Sequence, residues 1–284
     1  MECNPDDINI KNIKGWKNNN INRISLGVQS FFDSDLELMN RSHNSSTATQ
    51  AIELIKDNFK NFSIDLIYGI PESSFDIWKK NIDIGLKYDV PHISTYVLTV
   101  EPKTALIKLI EKNKIEEVSD IDQKLQFEYV YDYLLSLGYV NYEFSSFAKP
   151  GYECKNNVTY WNRGKYIGFG PSAHSFDGVK RKWNISNNQK YIEKIKLNSI
   201  AYESEILSEK DILNEIIMIG LRTSEGLDLD LIESKFSNLN LEKLIQQIQL
   251  KIMDGVLVKT DNKLHPSRDY KFLTDGIASD LFIT

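Results

Sequence analysis

Apolar and polar positions alternate along residues 21–30 and then change period. Ile24, Leu26 and Val28 share one side of an expected strand, and Ser25, Gly27 and Gln29 share the other. Gly27 carries no side chain, so a ligand or a second stretch of backbone can come close. The same reading down the chain gives helices over residues 6–16, 47–59, 75–88 and 120–137. Between them it gives strands over 62–68, 92–100 and 140–144. Ser74 is the expected cap of the third helix, and Gly138 closes the fourth. Strands that alternate with helices predict an α/β fold with a parallel sheet or barrel and helices outside. Gln29, Asp65, Thr99 and Glu143 then stand at or near strand ends and would gather at one mouth.

The pattern loosens after residue 147. Residues 147–161 read as irregular, and residues 166–175 as a further strand that ends at Ser172, Ala173 and His174. Within it, Gly168 and Gly170 suit either a tight turn or close approach of a cofactor, and His174 suits either a structural imidazole or a ligand. From residue 183 the chain turns to helices: an exposed basic one over 189–197, one capped by Ser208, one over 241–253, and a last one over 273–282. A hairpin over 255–265 turns at Asp261-Asn262. Helices with a small hairpin suggest a winged-helix-like module. Its candidate recognition helix sets Glu242 beside Lys243 and Lys251 amid glutamines, so a structural or docking role is expected rather than phosphate binding. The expected domains are 1–204 and 205–284.

Composition narrows the function classes. The 284 residues are 41% apolar and 26% charged, with a net charge of −6, which argues against nucleic acid as the main partner. The first residues lack a basic-then-apolar leader, and no apolar run approaches the roughly 18 residues of a membrane span. Cys3 and Cys154 are far apart and give no metal spacing. A reducing, cytoplasmic setting is expected. Asp65 interrupts an apolar run, and burying a carboxylate there costs several kcal/mol unless it is paired.

Several runs together carry a family likeness. Glu2-x-Asn4-Pro5, Gly27-Val28-Gln29-Ser30 and Asp65-Leu66-Ile67-Tyr68-Gly69-x-Pro71 resemble radical S-adenosylmethionine proteins of the oxygen-independent coproporphyrinogen III oxidase group. Tyr142-Glu143-x-Ser145-x-Phe147-Ala148-Lys149-Pro150-Gly151, Asn157-x-x-Tyr160-Trp161 and Gly168-x-Gly170-x-Ser172-Ala173-His174 resemble the HemW branch, whose members act as heme chaperones. The resemblance covers essentially the whole chain. It implies an incomplete TIM-type β/α barrel followed by the winged-helix-like domain. It implies that Glu2, Gln29, Arg41 and Asp65 match S-adenosylmethionine contacts, with Thr99 and His174 near them, and no catalytic residue is assigned. The ligand's chemistry agrees: carboxylates accept from ribose hydroxyls or the ammonium, Arg41 can grip a carboxylate with two parallel bonds, and Gln29 both donates and accepts. The implied cofactors are S-adenosylmethionine, a 4Fe–4S cluster and heme. The implied partners are heme and apo-heme proteins, with membrane-associated recipients and a homodimer left open.

Two departures stand out. The Cys-x-x-x-Cys-x-x-Cys run that holds the cluster is absent, and Cys3 and Cys154 cannot replace three thiolates. The expectation is that the chain as written does not hold the cluster and that the motif lies upstream of Met1. The branch's His-Asn-x-x-Tyr-Trp run has Asn156 in place of its histidine, and His174 and His43 remain as candidate iron ligands. A heme chaperone is therefore the leading reading. A porphyrinogen oxidase, and an inactive fragment or cluster-free paralogue, are the alternatives.

Overall fold

The computed structural model describes residues 1–102, 104–236, 238 and 240–283. It divides into two compact units, Met1–Glu153 and Cys154–Thr284. The 204/205 break expected from sequence falls inside the second of these.

The first unit is built on a six-stranded sheet in the order β1-β2-β3-β4-β6-β5. Its strands are β1 (Glu2–Cys3), β2 (Arg23–Gln29), β3 (Asn61–Tyr68), β4 (His92–Val97), β5 (Val140–Glu143) and β6 (Ser146–Ala148). Strands β1 to β4 are parallel, as the alternation predicts. Helices cross between them: Ile10–Asn18, Ser45–Asn58 and Phe75–Lys87. Their apolar faces cover Ile24, Leu26, Val28, Ile64 and Leu66, all fully buried.

The far edge departs from the expected pattern. Strand β5 follows helix Asp120–Ser136 but does not pair with β4. It turns through residues 144–145 into β6, and β6 inserts antiparallel between β5 and β4. At three residues, β6 is too short to show a period, so the sequence pattern passes over it. The helix expected over 47–59 starts earlier, at Ser45, because Asn44 caps it by accepting from the Thr47 amide at 2.8 Å.

The second unit opens with helix Lys155–Trp161 and a three-stranded antiparallel sheet of β7 (His174–Phe176), β8 (Lys180–Asn184) and β9 (Tyr202–Ile206). Residues 166–175 are therefore not one strand. A Cβ at Gly168 would stand 2.1 Å from the His174 carbonyl oxygen, so the chain doubles back on itself there. Gly170 and Ser172 have φ of +96° and +60°, which break any extended run.

The remainder forms a module with its own core. Ser208 caps helix Glu209–Arg222 with a full capping box, as its sequence predicts. Strands β10 (Leu227–Asp228), β11 (Leu257–Thr260) and β12 (Lys263–Pro266) pair in the order β10-β12-β11. Leu213 and Ile217 of that helix, Leu244 of helix Glu242–Met253, and Leu257, Leu264 and Leu281 join one apolar cluster. This is the helix-plus-hairpin arrangement expected of a winged-helix-like domain. Among the described residues no helix is long and apolar enough to cross a membrane.

Candidate functional site

Parallel strands present successive side chains to opposite faces, so the register between strands decides which polar groups meet. Asp65 stands opposite Ser94, Ser94 opposite Ser146, and Ser146 opposite Glu143. One polar row therefore crosses β3, β4, β6 and β5, with a carboxylate at each end and two serines between. The Ser146 hydroxyl lies 3.4 Å from that of Ser94. Two residues back on β3, Ser63 meets Ser25 at 2.8 Å, and Ser25 is in register with Glu2.

Asp65 sits among these groups. The Ser25 hydroxyl lies 3.5 and 3.4 Å from its two oxygens, and Ser94 supplies another hydrogen bond. Burial pushes its carboxyl up to about 6, and the Glu2 carboxylate adds to the rise. The two serines and Arg23 oppose it. Tyr96, two residues past Ser94, is pushed up by burial and by the Asp65 carboxylate, with Glu143 contributing. Asp65 is thus poised near neutrality, and it can accept a bond as a carboxylate or donate one as an acid.

Gln29 closes β2. The ladder to β3 shifts between Leu26 and Gln29, and Gln29 itself has φ of +68°. A residue other than glycine held there is strained and needs surrounding support. The support is visible. His43, buried, bonds the Val28 carbonyl oxygen at 3.0 Å. Ser30 bonds Asp35 at 2.6 Å, and the Phe31 amide donates to Asn81 at 2.6 Å. The Gln29 amide then folds over Gly27. A Cβ on Gly27 would be 2.7 Å from Gln29 Nε2 and 3.8 Å from Asn4 Oδ1. The amides of Gln29 and Asn4 therefore share the carboxyl end of β1 and β2.

Arg41 lies in the loop after helix Asp33–Leu38 and is exposed. Ser42 bonds Asp6 beyond β1, and His43 bonds Val28, so the loop is tied to the same end of the sheet. Glu2 is exposed on the edge strand β1. Thr99 is exposed beyond β4, which ends at Val97. His174 is elsewhere: it opens β7 in the second unit, exposed, with its ring 6.5 Å from Trp183. The sheet thus brings Glu2, Gln29 and Asp65 onto neighbouring strands and ties the Arg41 loop to their carboxyl end.

The residues missed by sequence reasoning are Ser25, Ser63, Ser94, Ser146, Tyr96 and Asn4. Serines on strands are ordinary, and only the register reveals them as a row. Of the four histidines, His43 is tied to Val28, His92 is buried against the Tyr142 hydroxyl at 2.9 Å, and His174 is exposed. His43 is therefore a structural group of the β2 terminus rather than a free iron ligand.

The residues present do not fit a 4Fe–4S cluster. Cys3 and Cys154 lie in different units, and among the described residues no three His, Cys, Asp or Glu side chains are placed to hold a metal ion. Two thiolates cannot hold three irons. The polar groups do suit an adenosyl ligand, because carboxylates, serine hydroxyls and two amides face the kind of hydroxyls and ammonium it carries.

Comparison with known proteins agrees with this architecture. Residues 1–111 match the Radical SAM superfamily model, and residues 207–269 match the HemN C-terminal domain. The Heme chaperone HemW of Bacillus subtilis (strain 168) is 30% identical over 281 residues, which span 98% of this chain and 74% of that protein. The protein of the same name from Lactococcus lactis subsp. lactis (strain IL1403) is 31% identical over 267 residues, spanning 93% of this chain and 70% of the relative. The solved coproporphyrinogen III oxidase HemN from Escherichia coli superposes with a TM-score of 0.78 over 99% of this chain and 68% of that one. At 19% identity this superposition shows a shared fold alone, the incomplete β/α barrel with its C-terminal module. The chain belongs to the HemW family of radical S-adenosylmethionine proteins, whose relatives named above are heme chaperones.

Proposed function

We propose that this protein binds heme and hands it to apo-heme proteins. The observation that carries the reading is the likeness to heme chaperones along 98% of the chain, at both the barrel and the C-terminal module. The oxidase reading has weaker support, because the solved oxidase shares only 19% of its residues with this chain.

The carboxyl end of β1 to β3 is, in this account, the S-adenosylmethionine side. Glu2 and Asp65 accept from ribose hydroxyls or the ammonium, Gln29 contributes an amide, and Arg41 takes the carboxylate. Thr99 borders the site. No step of radical chemistry is assigned, because these residues supply no cluster ligands.

The test of the heme reading is a hemin titration of the 284-residue chain, followed by its Soret band. The expected result is saturable binding at one hemin per chain in the micromolar range or tighter. Non-saturating absorbance, identical to that given by an unrelated protein of the same charge, would overturn it.

A further inference from the structure

Strand alternation sorts Lys180-Arg181-Lys182 onto two faces of the β7-β8-β9 sheet. Arg181 goes to one face, opposite Phe176 and Glu205. It pairs there with Glu205 at 3.4 Å and with Glu215, and stacks 5.8 Å over Phe176. Lys180 and Lys182 go to the other face, where Lys182 lies in register with Ser175 and Ser204. Lys165 joins them. Its Cε lies 3.6 Å from where a Cβ of Gly178 would stand. Lys182 and Lys165 both act on the Asp177 carboxyl, which is held below the ordinary carboxylate range chiefly by its bonds to the Lys180 and Val179 amides. That carboxylate closes the β7–β8 turn with those bonds, at 2.8 and 3.1 Å. Among the described residues none of the three lysines has an ion-pair partner.

Lys165, Lys180 and Lys182 line a concavity of about 560 Å3 together with Tyr166 and Ile167, and the Asp177 carboxylate is the one anion in that lining. Its surroundings are apolar and open. Ile167 is 74% exposed, Phe169 on the same loop 87%, and Ile206, opposite Lys180, 75%. Large side chains left this open beside cations that lack an ion pair, one of which, Lys182, lies 5.2 Å over the Tyr202 ring, mark a surface that meets a partner with the same division of character. A bounded hollow of this size suits a small amphipathic anion better than a flat surface does.

We propose that this hollow receives the propionate edge of a tetrapyrrole, with Lys165, Lys180 and Lys182 on the two carboxylates and Ile167 and Phe169 against the ring. The assignment rests on the heme reading above and gives it a place in the chain. It carries a sharp consequence. His174 projects from the opposite face with Trp183, so this hollow reads the carboxylates and not the iron.

The test compares hemin, metal-free protoporphyrin IX and protoporphyrin IX dimethyl ester on the whole chain. Hemin and the free acid are expected to bind within about threefold of each other, and the ester at least tenfold more weakly. K180E/K182E should weaken both acids at least tenfold, and the milder K180Q/K182Q at least threefold with an unchanged circular dichroism spectrum. K194E/K196E, the same charge change on the exposed helix Asn188–Lys196, should stay within twofold. Hemin affinity unchanged in both K180/K182 variants overturns this assignment and leaves the heme reading standing. So does a loss that appears only in binding to phosphatidylglycerol vesicles, measured in parallel with the same variants, while hemin affinity is kept. A wild-type chain that binds neither acid overturns both.

Discussion

The side-chain nitrogen of Gln29 lies 2.7 Å from the point where a Cβ on Gly27 would stand. Gly27 is therefore the space into which the Gln29 amide folds, and the pair fixes one corner of the proposed adenosyl site. Gly27→Ala should move the amide aside, because the near atom ends a flexible side chain. Thermal unfolding should change by less than about 1 kcal/mol, while S-adenosylmethionine affinity measured calorimetrically should fall at least fivefold. A large loss of stability with affinity preserved would show that Gly27 serves packing alone.

Arg41 gives a cleaner separation. It is exposed, and among the described residues its side chain makes no hydrogen bond or ion pair, only its backbone amide bonding the Leu36 carbonyl, so its truncation touches no packing. Arg41→Ala should leave the melting temperature within about 1 °C, since surface changes of this kind stay within about 0.5 kcal/mol. Its S-adenosylmethionine affinity should fall at least tenfold. Unchanged affinity removes Arg41 from the site.

Asp65 gives the fold a pH signature. Below pH 3.8 its carboxyl is protonated in both folded and unfolded chains; between 3.8 and about 6 the unfolded chain releases a proton that the folded one keeps. Stability therefore falls as pH rises through that window, and the deficit is complete above about pH 6. Asp65→Asn should lift the deficit and stabilise the protein by up to about 3 kcal/mol at pH 7.5, with no gain at pH 3.5. His92 works in the opposite direction. Burial and Arg23 hold its imidazole down to about 3, so its contribution is lost as pH falls from 6.5. Urea unfolding of Asp65→Asn across pH 3.5 to 7.5 should thus show a steeper rise with pH than wild type. Parallel curves would contradict the burial of that carboxylate.

The C-terminal module should tolerate little change at Gly220. A Cβ there would stand 2.7 Å from the Leu227 backbone Cα, where helix Glu209–Arg222 crosses β10. Backbone cannot swing away as a side chain can. Gly220→Ala should cost about 1–3 kcal/mol in chemical denaturation, against the usual gain from alanine in a helix. A stabilised variant would mean that the helix and β10 are further apart.

Much of this was legible in the chain itself, for identifiable reasons. Ser74 and Ser208 announced their helices because capping is local chemistry, and both receive the expected amide bond. Asp65 was conspicuous because a carboxylate in an apolar run demands partners. Its partners were not legible, since Ser25 and Ser94 meet it only once β2, β3 and β4 are in register, and Ser146 joins the row only through Ser94. Strand β6 was hidden by its length. Strand β9, Tyr-Glu-Ser-Glu-Ile, was hidden because every residue in it is exposed, so no apolar face marks it. The pattern of residues 166–175 predicts one strand, whereas the close approach of the His174 carbonyl to Gly168 requires a reversal there, the tight turn that the two glycines also suit.

The most direct test of the account is transfer. The chain would be loaded with one equivalent of hemin, freed of excess, and mixed with an apo-heme protein whose loaded spectrum is distinct. The recipient's spectrum should grow to completion, at a rate that depends on recipient concentration and exceeds passive release into a heme scavenger. Transfer no faster than release into the scavenger, whatever the recipient concentration, would contradict it.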